Sequence, residues 1–127
     1  MADYDALQQA VIGGKVAQVK ELTQKALAEG RKAQEVLDQG LIPAMDIVGE
    51  KFSCHEFYIP EMLIAARAMQ AGIGLLKPLL VQAGSKPRGK VVIGTVKGDL
   101  HDIGKNLVAL MLQGSGFEVV DLGADVK

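Results

Sequence analysis

The stretch GTVKGDLHDIGKN, residues 94–106, holds an unusual set of residue types for so short a loop. A run of apolar β-branched residues ends there, and two aspartates, one histidine and two glycines follow. These residues are Gly98, Asp99, His101, Asp102 and Gly104. Residues i and i+2 of an extended segment point to the same side. The Asp99 carboxylate can therefore accept a hydrogen bond from one ring nitrogen of His101. That hydrogen bond would fix the tautomer and raise the basicity of the other ring nitrogen.

Nucleotide phosphate is a poor match for this loop. A Walker A loop reads G-x-x-x-x-G-K-[ST], but Gly104 and Lys105 are followed by Asn106, which lacks the hydroxyl that binds Mg²⁺. The first glycine of that motif would have to stand at position 99, which is Asp99. The dinucleotide pattern G-x-G-x-x-G is also absent from the sequence. Carboxylates in the loop would further repel a phosphate.

A zinc site built only from protein is also poorly matched. Zinc takes three or four protein ligands, whereas Asp99 and His101 provide at most two. Cys54 and His55 lie in another segment, and neighbouring side chains diverge. We interpret Cys54 as a small, partly buried residue and His55 as a polar loop residue.

One histidine is enough where a macrocycle already supplies four equatorial nitrogens, because the protein then adds only an axial ligand. His101 would be that ligand, with Asp99 as its hydrogen-bond partner. Gly98 and Gly104 would leave the backbone free for a large flat ring to approach. The alternative is that His101 is a solvated loop residue and that Asp102 is the N-cap of the following helix. Short motifs leave both interpretations open.

Composition restricts the class of protein. Among 127 residues, 49% are hydrophobic and the net charge is −1, with no basic run, so nucleic acid is not an expected partner. The single cysteine, Cys54, cannot form an internal disulfide, which favours a reducing compartment. The start MADYDALQQA is acidic and does not have the pattern of a signal peptide. Charge or proline interrupts the longest apolar stretches well short of the length that crosses a membrane. We therefore expect a soluble, cytoplasmic protein with no membrane partner.

Apolar residues recur at helical spacing from residue 3 to about residue 83, which predicts four helices with short connections, a small bundle. Gly13 and Gly14 would interrupt the first helical stretch, and Gly30 would end the second. Pro43 would mark a kink or a break. Pro60 suits the first turn of a fourth helix.

The pattern changes after AGSKPRGK, residues 83–90, the predicted boundary between two domains. KVVIGTV predicts a strand buried on both faces, GKNLVALMLQGSG a helix ending at Gly114 or Gly116, and FEVVDLG a second, parallel strand. We therefore assign residues 1–85 to a helical bundle and residues 86–127 to the start of a Rossmann-like, flavodoxin-like α/β domain. The loop with His101 then lies at the carboxyl end of the first strand, where open α/β sheets bind ligands.

The string Asp99-Leu100-His101-Asp102-Ile103-Gly104 has the form D-x-H-x-x-G and resembles the cobalamin-binding signature of methionine synthase and related corrinoid proteins. GTVKGDLHDIGKNLV is similar to that family over its whole length. Upstream, GEKFSCHEFYIPEMLIAARAM resembles the helical cap that precedes the corrinoid domain. The order of the two segments is also that of the family.

The resemblance implies a role for each matching residue. His101 would be the lower axial ligand that displaces the dimethylbenzimidazole base (base-off, His-on), and Asp99 its partner. Further cofactor-binding residues would come from the same loop and from the cap. Those in the loop are Gly94, Thr95, Gly98, Asp102 and Gly104, and those in the cap, over the upper face, are Tyr58, Met62 and Leu63. The competing interpretation of Tyr58 and Met62 is ordinary bundle core.

The function that the resemblance implies is methyl carriage on the cobalt of methylcobalamin or a related corrinoid, between a substrate-specific methyltransferase and a second methyltransferase. The chain would be a component of a methyltransferase system rather than a complete enzyme. The alternatives are a radical mutase subunit, a cobalamin-sensing regulator, and an interaction module with a flavodoxin-like domain. The family's domain continues beyond the segment matched here, so we expect an intact protein of roughly 200 residues.

Overall fold

The computed structural model describes residues 4–84 and 88–127. The chain divides into two compact units, Met1–Ser85 and Lys86–Lys127. The predicted boundary, residues 83–90, lies partly outside the described residues, as does the acidic start at residues 1–3. Each unit is described by itself below.

The first unit is helical throughout. Its elements are α1 (Asp5–Ile12), α2 (Val16–Ala28), α3 (Ala33–Glu35), a π-helical segment (Val36–Leu41), α4 (Ile42–Ser53) and α5 (Ile59–Gln82). Because α3, the π-helical segment and α4 follow one another without a gap, residues 4–84 form four successive helical rods. The predicted bundle is thereby confirmed.

Two predicted helix ends lie where left-handed backbone is needed. Gly14, with φ of 69°, follows α1, and a Cβ atom there would overlap Ile64 Cγ2 at 1.9 Å. Gly30, with φ of 86°, ends α2, and the Arg31 N–H donates to the Ala26 oxygen at 3.1 Å. Glycine adopts this conformation without steric cost, which is why the breaks fall at these positions.

The π-helical segment explains how the chain passes Pro43 without a break. Proline has no N–H to donate to the carbonyl oxygen of Gln39 four residues earlier. That oxygen accepts a hydrogen bond from Gln8 Nε2 of α1 at 2.8 Å. Gly40 lets α1 approach, since an added Cβ would lie 2.7 Å from Leu7 Cδ2. Pro43 therefore follows a local change of helical pitch inside a continuous rod.

Helix α5 is central to the bundle and contacts α1, α2, α3, the π-helical segment and α4. Glu61 Oε2 accepts a hydrogen bond from the Tyr58 N–H at 3.1 Å and so caps its first turn. Its buried residues are Met62, Ala65, Ala66, Ala68, Met69, Gly72 and Leu76. The small side chains among them let neighbouring helices approach closely.

By length and composition alone, α5 could also cross a membrane, with a mean hydropathy of 1.3 over its most apolar window. The expectation that every apolar stretch is too short for a span is therefore wrong for this helix. The same test is passed by core helices of soluble proteins. The apolar character of α5 has a packing explanation here, because five helical segments contact it.

The second unit contains β1 (Lys90–Ile93), α6 (Ile103–Gly114) and β2 (Glu118–Asp121). The strands are parallel, as predicted, with Val92 opposite Val120. Gly116, with φ of 97°, is the glycine that ends α6, and Phe117 N donates to Leu112 O beyond it. Strand β1 is not buried on both faces, because Val92 is 59% exposed. Helix α6 packs against β2, and the face that carries Val92 is open to solvent.

Candidate functional site

The site is the segment between β1 and α6, residues 94–102. Its start is held against the end of β2 by backbone hydrogen bonds: Thr95 N donates to Gly123 O at 2.9 Å, and Val126 N donates to Thr95 O at 2.8 Å. Val96 and Val126 form an isolated parallel bridge. The two strand ends therefore extend past the sheet together and place their loops side by side.

Asp99 and His101 form the contact that the sequence predicts. His101 Nδ1 lies 2.6 Å from Asp99 Oδ1, and the same oxygen accepts the His101 backbone N–H at 2.9 Å. Because a carboxylate only accepts, Nδ1 carries the proton and Nε2 keeps its lone pair. The His101 side chain is 97% exposed. In the neutral ring, Nε2 thus presents a lone pair on a side chain that faces solvent.

Two further features hold this pair. The Thr95 hydroxyl donates to the His101 carbonyl oxygen at 2.7 Å, which fixes the backbone that carries the ring. The hydrogen bonds from the backbone and then the ring of His101 hold the pKa of the Asp99 carboxyl below its ordinary value. Asp99 accordingly stays anionic and keeps its role as acceptor.

The glycines of the loop differ in what surrounds them. A Cβ at Gly94 would lie 2.9 Å from Val126 Cγ2, so packing of the C-terminal segment is enough to require glycine there. Gly98 has φ of 87°, which also calls for glycine. Gly104 has neither reason, since a Cβ added there meets no described atom within 4 Å beyond its own helical neighbourhood. The feature that distinguishes Gly104 is therefore open space beside the start of α6.

Asp102 occupies the N-cap position of α6, and its carbonyl oxygen accepts the Asn106 N–H at 2.8 Å. Its side chain makes no capping hydrogen bond. The position expected for Asp102 is therefore right, whereas side-chain capping is absent. Its exposed carboxylate lies on the same loop as His101.

Lys105 and Asp121 join α6 to the end of β2. Lys105 Nζ lies 2.6 Å from Asp121 Oδ2 and 2.8 Å from Oδ1, and its side chain is only 9% exposed. Asp121 Oδ1 also accepts the Gly123 N–H at 2.8 Å. The hydrogen bond from Lys105, followed by that from the Gly123 N–H, lowers the pKa of the Asp121 carboxyl. Sequence reasoning missed this pair, although Asp121 also stands at the carboxyl end of a strand.

We predict that Asp121→Asn lowers the free energy of unfolding of the second unit in a pH-dependent way. Because the folded pKa of Asp121 is depressed, its contribution is fully present above the ordinary value of 3.8 and is lost as pH falls through the lower folded value. Urea titrations at neutral pH and at successively lower pH measure the difference between the two chains. That difference should close in acid.

Glu118→Gln is the matched control, because it removes one carboxylate from β2 whose pairing with Lys90, at 3.8 Å, is exposed on both sides. We expect a small effect from this change. A difference between Asp121→Asn and the unsubstituted chain that grows in acid would contradict the role given to the ion pair.

The residues expected on the helical side lie in the first unit, at the start of α5. Tyr58 is exposed, Leu63 is half-buried, and Met62 is buried in the bundle core. Met62 thus has the packing role that was its competing interpretation, whereas Tyr58 does not. In the preceding connection Cys54 and His55 are both exposed, so Cys54 is not partly buried as expected.

No group of three or more His, Cys, Asp or Glu residues able to hold a metal ion occurs within residues 4–84 and 88–127. His101 offers one free ring nitrogen, the number that an axial position takes. Together with the open space beside Gly104, this arrangement fits a metal-containing macrocycle, which already supplies the equatorial nitrogens.

Comparison with known families agrees with this geometry. A family described as B12 binding domain matches residues 4–77, and a second family of the same description matches residues 89–127. The chain belongs to the B12-binding family. The family has cobalamin as its cofactor, as the loop predicts, and both units of this chain are covered by the matches.

Similar proteins include a corrinoid protein of Desulfitobacterium hafniense (strain Y51), 38% identical over 130 residues that cover 100% of this chain and 60% of that protein. A trimethylamine corrinoid protein of Methanosarcina barkeri is 44% identical over 109 residues, which cover 84% of this chain and 50% of that protein. This B12-binding chain therefore spans about half to three fifths of the length of these relatives.

A solved structure with the same fold is the methanol:cobalamin methyltransferase complex MtaBC from Methanosarcina barkeri. The match has a TM-score of 0.87 and 34% sequence identity, and it covers 95% of this chain and 46% of that one. The prediction of a helical bundle followed by the start of a Rossmann-like domain is confirmed for this B12-binding chain.

Proposed function

We propose that this chain is the cobalamin-binding part of a methyl-carrying corrinoid protein. It would bind the cofactor in the base-off, His-on form and work between a substrate-specific methyltransferase and a second methyltransferase. The observation that carries the proposal is the 2.6 Å contact between His101 Nδ1 and Asp99 Oδ1 on a ring that is otherwise exposed. The similarity to a trimethylamine corrinoid protein and to a methanol:cobalamin methyltransferase complex supports it.

His101 would bind from the lower face through Nε2. Asp99 keeps the proton on Nδ1 and sets the plane of the ring, and its negative charge increases the basicity of Nε2. Thr95 holds the His101 backbone through the 2.7 Å hydrogen bond to its carbonyl oxygen. Gly104 leaves room beside the loop for a bulky ligand. When bound, cobalamin supplies a cobalt centre that accepts a methyl group and gives it up again.

The Asp99–His101 pair can also hold a proton. When Nε2 is not bound to the cofactor, it can take up a proton. The anionic Asp99 then stabilises the imidazolium through the existing Nδ1 hydrogen bond. The depressed pKa of the Asp99 carboxyl keeps it charged for this role. The chain's own residues would thus couple ligation at His101 to proton uptake.

The proposal is tested by binding and then by transfer. The chain is mixed with hydroxocobalamin and passed over a sizing column, and we expect the corrinoid to co-elute with it. The loaded chain is then reduced and incubated with methanol or with mono-, di- or trimethylamine, each with the matching methyltransferase of the relatives' systems. We expect the corrinoid spectrum to change with one donor and only when its methyltransferase is present.

Two results would contradict the proposal in different ways. A chain that retains no corrinoid would not be a carrier of any kind. A chain that retains it but accepts a methyl group from no donor would instead fit a cobalamin-sensing module. Chain without reduction, and methyltransferase without chain, are the controls that separate transfer from background chemistry.

A further inference from the structure

Asp125 contacts the histidine loop from the far end of the second unit. Its Oδ1 accepts the Gly98 N–H at 2.7 Å, although the two residues stand 27 positions apart in the chain. Its own N–H donates to the Asp99 carbonyl oxygen at 3.0 Å. Asp125 therefore binds the Gly98 N–H and the Asp99 carbonyl, the two backbone groups that flank the Gly98–Asp99 peptide, and Asp99 carries the carboxylate that contacts His101.

The backbone of Asp125 indicates that its side chain matters. Its φ is 56°, in the left-handed region. Glycine would occupy that region without strain, and aspartate is one of the few other residues that tolerate it. Glycine at this position could not accept the Gly98 N–H. The strained backbone thus coincides with a carboxylate that has a defined hydrogen bond.

The Gly98–Asp99 part of the loop depends on hydrogen bonds for its conformation, whereas Thr95 holds the loop at its start and at the His101 carbonyl. Lys97, Gly98, Leu100 and His101 are exposed, Leu100 by 77% of its surface. A loop without buried side chains takes its conformation from hydrogen bonds. Those near Asp99 are the two that involve Asp125, the one from Asp99 N to Val96 O at 3.1 Å, and the two that His101 donates to the Asp99 carboxylate.

We propose that Asp125 is a positioning residue for the Asp99–His101 pair: by binding the Gly98 N–H and the Asp99 carbonyl oxygen it fixes the backbone of these two residues and so orients the Asp99 carboxylate, which in turn sets the tautomer and direction of the His101 ring. The functional value of this positioning rests on the proposed axial role of His101. The geometry itself belongs to the chain without cofactor. Asp125 itself need not touch the cofactor.

The first test uses the chain without cofactor. Long-range ¹H–¹⁵N correlation spectra at alkaline pH report which ring nitrogen of each histidine carries the proton. In the unsubstituted chain we expect His101 to be protonated on Nδ1, and His55, which is exposed, is an internal reference in the same spectrum. Asp125→Gly removes the acceptor while relaxing the backbone, and it should shift His101 towards a mixture of tautomers. Asp125→Asn keeps an acceptor oxygen and should leave His101 unchanged.

Asp125→Glu extends the test if the glycine variant does not fold, because it keeps the charge and displaces the carboxylate. We expect it to disturb the His101 tautomer as Asp125→Gly does. Glu118→Gln removes one charge from the same unit and should have no effect. An unchanged His101 spectrum in Asp125→Gly or in Asp125→Glu, or a change in Asp125→Asn as large as in those variants, would overturn the positioning role.

The second readout is the affinity for hydroxocobalamin, which should fall about tenfold in Asp125→Gly. This is the lower end of the loss seen when a residue that supports a metal ligand by hydrogen bonding is replaced. The two proposals fail separately. If His101→Ala leaves the corrinoid spectrum unchanged, axial ligation is wrong while the tautomer result still stands. If Asp125→Gly leaves the tautomer unchanged, the positioning role is wrong while His101 can still be the ligand.

Discussion

Replacing His101 with alanine is expected to remove the axial imidazole from the bound corrinoid and to change its visible spectrum to that of a cofactor with water or no ligand on the lower face. The expectation follows from geometry, because Asp99 occupies Nδ1 and leaves Nε2 of His101 accessible on a side chain that is 97% exposed. Loss of an outer partner of a metal ligand costs about 10–100-fold in affinity, and loss of the ligand itself should cost more. Absorption spectra and titration with hydroxocobalamin measure both effects.

Two variants make the result specific. Asp99→Asn keeps His101 but weakens the hydrogen bond to Nδ1, so we expect the spectrum to be retained and the affinity to fall about 10–100-fold. His55→Asn removes the only other histidine of the chain, and asparagine tolerates the left-handed backbone found there, where φ is 66°. We expect no spectral change from it. A spectrum that stays the same in His101→Ala would refute axial ligation.

The core of the histidine site could be predicted because it is local. Asp99 and His101 are two residues apart, so an extended loop is enough to bring the side chains together. Their place at the carboxyl end of a strand follows from the change of apolar period at KVVIGTV. Neither step requires knowledge of distant contacts.

The partners of that site could not be predicted in the same way. Asp125 reaches Gly98 across 27 residues, and the contact depends on the parallel register that brings Val126 beside Val96. A sequence pattern does not set such a register for strands of four residues. The available signal was positional: FEVVDLGADVK also ends a strand at the edge where ligands bind, and applying the argument to both strands would have drawn attention to Asp121 and Asp125.

The bundle shows the same division between local and distant information. Apolar spacing predicted the helical rods, and the glycines in the sequence predicted the breaks at Gly14 and Gly30, where the backbone is left-handed. The π-helical segment was not predicted, because it depends on Gln8 of α1 reaching the Gln39 oxygen and on Gly40 lying against Leu7. These contacts exist only once the helices are packed. The two glycines of α5 also look alike in sequence, although packing makes them different.

Gly72→Leu is expected to destabilise the bundle by about 1–3 kcal/mol, because a well-packed core has no room for added carbons. A Cβ at Gly72 already lies 3.1 Å from side-chain atoms of Leu41 and Val19, both fully buried. Gly74→Leu is the matched control on the same helix, where a Cβ meets no described atom within 4 Å outside the helix. It should stabilise by roughly 0.5–1 kcal/mol through helix propensity. Urea unfolding followed by far-UV circular dichroism measures both changes. Equal effects of the same sign would contradict the packing constraint at Gly72.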